Sequence, residues 1–168
     1  MTQDNTPDVI NDVLQLTPQS PLAQLRAKRA LIEKLTQTSY EAAIHPKQPR
    51  NFSYPYRAAL AARIAKLWKS DDLAQHYDRL LDAENATDDL CQIAEPSWQP
   101  DAAEPRLSAI VAHTDLVSLN PKAATKANIE TLKLAGLDDQ DIVTLAGIIA
   151  FINYQVLMVA GLKMLRDN

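Results

Sequence analysis

Residues 142–165 read IVTLAGIIAFINYQVLMVAGLKML, and this stretch decides the fold. It is apolar on nearly every side at helical spacing. A membrane span needs ~20 predominantly apolar residues. Here Asn153, Tyr154 and Gln155 interrupt the run at its middle, and Lys163 comes before its end. The expectation is a long C-terminal helix wrapped by other helices or by a second subunit, with no membrane span. Asp138 is placed to cap it, and Asp141 falls at its positive end. Ala146, Gly147 and Ala150 are small enough for another helix to approach closely.

Outward from that helix the pattern stays helical. Runs of β-branched residues alternating with polar ones are missing, so the chain is read as all-α, with about eight helices in two halves. Thr6, Pro7 and Asp8 stand as cap, first position and first turn of a short helix carrying Val9, Ile10, Val13 and Leu14. Ser20-Pro21 opens a second segment through Leu25, Leu31, Ile32 and Leu35. Thr38 and Glu41 have the spacing of a capping box, which predicts a fresh helix there. Ser53 with Pro55 opens the next, and Ser70-Asp71-Asp72 marks another break. Residues 94–105 hold three prolines and read as a linker. Beyond it, Asn120-Pro121 is read as the cap of a helix that Gly136 closes in the left-handed conformation. Residues 1–19 form an N-terminal arm whose apolar face is available to a partner subunit. Residues 20–168 form one domain, with halves at about 20–93 and 105–168.

The 168 residues carry a formal charge of −4, with a pI near 5.3. That argues against nucleic acid, which calls for a basic face. From Pro21 to Lys69 there are ten Lys/Arg and two Asp/Glu; from Asp71 to Glu104 there are ten Asp/Glu and one Arg. The simplest arrangement has the two blocks neutralising each other, within or between subunits. The polar, acidic start from Met1 to Asn11 is unlike a signal peptide, so a cytoplasmic location is expected.

The chemistry on offer is narrow. One cysteine, Cys91, excludes an internal disulfide, a CxxC centre and a multi-cysteine zinc site. Cys91 reads as a small apolar residue. Three glycines and no Gly-rich motif argue against a phosphate loop. His45, His76 and His113 form no metal-ligand spacing, so neither metal nor cofactor is expected. His45 sits in a loop and is expected to be solvated; His113 is expected to be a hydrogen-bonded structural residue. His76 follows Asp72 by four residues, which places both on one helix face. A carboxylate close to an imidazole favours its charged form and orients its ring, while Lys69, if also close, opposes that, so the direction of any net shift is open at this point.

Three stretches carry a family likeness: Tyr56–Tyr77 (YRAALAARIAKLWKSDDLAQHY), Pro105–Pro121 (PRLSAIVAHTDLVSLNP) and Ile129–Gln155 (IETLKLAGLDDQDIVTLAGIIAFINYQ). They resemble the AhpD-like superfamily, which includes alkylhydroperoxidase AhpD and carboxymuconolactone decarboxylase, and look closest to its peroxidase-related branch. Redox members of that family carry Cys-x-x-Cys-x-x-x-His, with a glutamate twelve residues before the first cysteine. The resemblance places His76 at the histidine, Lys69 and Asp72 at the two cysteines, and Arg57 at the glutamate. Neither Lys69 nor Asp72 supplies the thiolate that peroxide chemistry needs. The decarboxylase side of the family needs no cysteine, and proton transfer there can use a histidine or a carboxylate. On that reading Arg57 and Lys69 hold a small anionic or lactone substrate. The resemblance also implies a homo-oligomer.

Two expectations follow. In the first, Arg57, Lys69, Asp72 and His76 converge on a pocket and run acid/base chemistry without thiols. In the second, Lys69 and Asp72 only shape helix ends, His76 packs against its neighbours, and the fold serves ligand binding or assembly.

Overall fold

A computed structural model describes residues 8–167. Among them are nine α-helices, one 3₁₀ turn and no strand. The helices are α1 (Val9–Val13), α2 (Pro21–Ala27), α3 (Ala30–Ile44), α4 (Tyr54–Leu67), α5 (Asp71–Ala83), α6 (Asp88–Ile93), α7 (Pro105–Leu119), α8 (Lys126–Leu134) and α9 (Asp139–Arg166). The all-α reading and the long apolar C-terminal helix both hold. The expected roles of Thr6 and Pro7 fall outside the described residues; Asp8 caps α1 by accepting from the Asn11 N–H.

Helix α4 lies at the centre. Every residue from Arg57 to Ala65 is buried, because the run of alanines leaves room for neighbours on all sides. It packs against α3, α5, α6, α7 and α9. Ser53 accepts from the Tyr56 N–H at its start, as expected. At its end Lys69 adopts φ 55°, and Ser70 starts α5 back along α4.

A second buried arginine fixes the link between the halves. Arg63 donates to both carboxylate oxygens of Asp115, at 2.6 and 2.7 Å. Its Nη1 also reaches the carbonyls of Ile93, Glu95 and Trp98. The Pro-rich segment is therefore tied to α4 and α7 rather than free to swing.

Three boundaries differ from the sequence reading. Helix α3 runs unbroken through Thr38, whose hydroxyl donates back to the Lys34 carbonyl. That bond, four residues back within a helix, replaces the cap. The actual break falls at Lys28-Arg29. Asn120-Pro121 opens only the 3₁₀ turn Pro121–Ala123, and α8 is started by a capping box between Thr125 and Asn128. Gly136 does end α8 with φ 89°, and Asp138 does cap α9, accepting from the Asp141 N–H at 2.7 Å.

Helix α9 packs against α3, α4 and α7. By length and composition it could cross a membrane, yet Leu145, Ile148, Ile149, Ile152, Val156 and Val159 are buried in this chain's core. Its other side is open: Val143 is 72% and Leu157 65% exposed. Ala146, Gly147 and Ala150 are exposed. The arm behaves otherwise than expected. Val9, Ile10, Val13 and Leu14 are buried within this chain, against α3, α5 and α9, so they offer no face to a partner. The charge blocks meet only in part: Lys66 pairs with Asp78 and Glu95, while Arg26 and Arg50 find Asp8 and Asp138 outside the acidic block.

Candidate functional site

The four motif positions sit around the α4–α5 hairpin. Among the described residues, no hydrogen bond or ion pair joins any two of them. Arg57 is 3% exposed. Its Nε donates to Phe52 O at 2.8 Å, Nη1 to Ala43 O at 2.8 Å and Nη2 to Pro49 O at 3.0 Å. The guanidinium thus gathers the end of α3 and the 45–52 loop onto α4. Burial pulls its pKa down. Lys69 is exposed at the turn. Asp72 reaches across to α9 and pairs with Lys163 at 2.6 Å.

His76 therefore has no carboxylate beside it. Its Nε2 lies 3.2 Å from the Tyr40 hydroxyl, and its ring stands edge-on to Tyr77. Burial, with a smaller contribution from Arg79, lowers its pKa to about 4. Asp72, engaged by Lys163, does not act on the ring, and burial sets the direction that the sequence left open. Tyr40 is pushed up to about 12, first by burial and then by Asp12 and Glu84. At neutral pH the phenol keeps its proton and the imidazole is neutral, so the ring's tautomer decides which of the two donates.

The other single residues also differ from expectation. His45 is bound rather than solvated, its Nε2 2.8 Å from Glu84 Oε1. His113 Nδ1 is buried with no hydrogen-bond partner, and burial lowers that ring's pKa. Cys91 is exposed on α6 and takes no part in the core. No group of three or more His, Cys, Asp or Glu able to hold a metal occurs among the described residues.

A cavity lies to one side of His76. It is a groove of about 670 Å³ between α3 and α9. Its walls include Ile32, Leu35, Val143, Ile148 and Phe151, with Gly147 on its floor. Arg57, Pro46 and Gln48 line it as well. Thr36 and Tyr154, which also line it, bond to each other at 2.9 Å across the two helices. Tyr40 contacts Phe151 at a ring separation of 6.2 Å, so the His76–Tyr40 pair stands behind this wall. Of the four motif residues only Arg57 faces the groove. Thr36 and Tyr154 carried no signal in the sequence, because their pairing joins residues 118 positions apart.

No protein-family model matches the chain, and no curated protein matches it at a significant level. In structure it is similar to an uncharacterized peroxidase-related protein from Silicibacter sp. TM1040. The TM-score is 0.66, covering 96% of this chain and 92% of that one, at 14% identity. The two share a fold. The helical architecture is thus consistent with the AhpD-like resemblance read from the three stretches.

Proposed function

We propose that this chain is a non-catalytic, small-molecule-binding protein on an AhpD-like fold, without thiol chemistry. One observation supports the reading: Arg57 and Asp72, two of the four positions that would run the chemistry, are engaged in structure, while a groove lined by Arg57 stands open. Arg57 holds three carbonyls and Asp72 holds Lys163. The single thiol, Cys91, lies on α6, outside the motif. A small anion is the ligand class that suits Arg57. We further propose that the protein is a cytoplasmic homo-oligomer, that the open side of α9 meets another subunit rather than lipid, and that nucleic acid is no partner.

A second reading has one observation in its favour. The neutral His76 imidazole and the Tyr40 phenol form a bonded pair of the kind that transfers protons. Acid/base chemistry on a small anionic or lactone substrate would run through His76, with Lys69, Asp72 and Arg57 around it. A thermal-shift panel of small carboxylates and lactones separates the two. Binding predicts a raised melting temperature with at least one compound, retained in His76→Gln. Loss of the shift in a folded His76→Gln variant favours the second reading. Peroxide turnover with a dithiol reductant, abolished by Cys91→Ser, would overturn both.

A further inference from the structure

Arg57 presents an electrostatic problem that its hydrogen bonds do not solve. It is a buried cation with no carboxylate within ion-pair distance among the described residues. A buried charge is normally paired. Backbone carbonyls solvate this one, but none carries a full negative charge. A guanidinium has five N–H donors, and the three bonds to carbonyls leave two unused among the described residues. Five other arginines each have an acidic partner: Asp8 and Glu33 for Arg26, Asp138 for Arg50, Asp115 for Arg63, Asp141 for Arg106 and Asp167 for Arg166.

The groove supplies the space for the missing charge. Helices α3 and α9 run antiparallel: Thr36 meets Tyr154, and Tyr40, one turn later on α3, meets Phe151, one turn earlier on α9. Arg57 bonds the Ala43 carbonyl at the end of α3, so it closes the groove at the end where α9 begins. From Val143 to Tyr154 the groove follows α9 for about 16 Å at the helical rise of 1.5 Å per residue. Beyond Tyr154 a second depression of about 380 Å³ is lined by Arg26, Arg29 and Glu33 as well as Leu25, Met158 and Leu162, so the apolar path ends at Tyr154. The walls along this path are mostly apolar. One charge at one end and an apolar channel leading from it define a ligand with one negative head and an extended hydrocarbon body. A doubly charged head such as a phosphate monoester would leave excess charge against an apolar wall.

We infer that the α3–α9 groove binds an amphiphilic monocarboxylate, with its head toward Arg57 and its apolar chain along α9 toward Tyr154. This rests on the ligand-binding reading and names its ligand class. The fit is monovalent, linear and apolar, which separates it from a compact polar metabolite.

Gly147 allows a test that leaves Arg57 in place. A Cβ there meets nothing within 4 Å, and leucine is a better helix former than glycine. Gly147→Leu therefore fills the groove without straining α9. Titration calorimetry on the full chain would use decanoate, decanol and decylammonium below their micellar ranges. The expected result is decanoate binding at least tenfold tighter than decanol, with no decylammonium binding. Gly147→Leu should weaken decanoate at least tenfold, with an unchanged far-UV circular dichroism spectrum. Equal affinity for decanoate and decanol, unchanged affinity in Gly147→Leu, or no decanoate binding would each overturn the inference. If decanoate fails while a short carboxylate or lactone shifts the melting temperature, only the groove assignment falls. If nothing binds, the ligand-binding reading falls with it.

Discussion

Arg57 shows how one side chain can replace several turns of regular structure. Its three bonds collect carbonyls from Ala43 at the end of α3 and from Pro49 and Phe52 in the loop, of which Pro49 O also accepts from the Phe52 N–H. A buried carbonyl left without a donor costs about 1–3 kcal/mol. Arg57→Met removes all three donors while keeping an apolar stem. It should lower unfolding free energy by about 3 kcal/mol or more, read as a lower denaturant midpoint at unchanged slope. The sequence singled out Arg57 by position, but its acceptors are visible only once the loop is folded over α4. His76 teaches the same lesson. Spacing suggested an Asp72 partner; the nearer facts are Tyr40, Tyr77 and burial. With a folded pKa of about 4 against the ordinary 6.5, the unfolded chain binds the extra proton. Stability from this group is therefore intact above pH 6.5 and falls as pH drops toward 4, on the order of 3 kcal/mol in all. His76→Gln should remove that part of the acid slope. Parallel slopes for the two proteins between pH 6.5 and 4 would show that the ring is not desolvated as described.

At the scale of elements, local chemistry was legible where it stood alone. Ser53, Asp138 and Gly136 act as read because cap and left-handed positions depend on only a few neighbouring residues. Gly136 ends α8 at φ 89°, and its carbonyl accepts from Arg106 at 2.7 Å. A Cβ there finds space, its nearest neighbour an Arg106 nitrogen 4.0 Å away, so the penalty for alanine is conformational. Gly136→Ala should cost about 1–2 kcal/mol, measurable as a lowered melting temperature. An unchanged melting temperature would mean the turn relaxes. Thr38 and Asn120 misled because each motif has a second use. A threonine hydroxyl can bond four residues back within a helix, and Asn-Pro can open a 3₁₀ turn. Tertiary packing chose between them: Thr36 and Gln37, one turn or less from Thr38, are buried, which keeps α3 continuous.

For the whole molecule, α9 sets the open question of assembly. Its buried side forms the core, and its outer side carries Val143, Leu157, Met164 and Leu165. The sequence showed that this helix was apolar all round, but not which side the chain itself would cover. Leu31 and Leu35 on α3 extend the exposed apolar surface, and patches of this kind mark interaction surfaces. The expected mass by light scattering at micromolar concentration is at least twice the 18.6 kDa of one chain; a monomer would contradict the assembly proposal.

The central claim is binding without turnover. Ligand-observed NMR tests both halves in one sample, with the protein added to a panel of short and medium-chain carboxylates and lactones. The account predicts saturation transfer to at least one carboxylate and an unchanged ligand spectrum after a day of incubation. Product resonances that appear with the protein, and vanish with a folded His76→Gln variant, would contradict it.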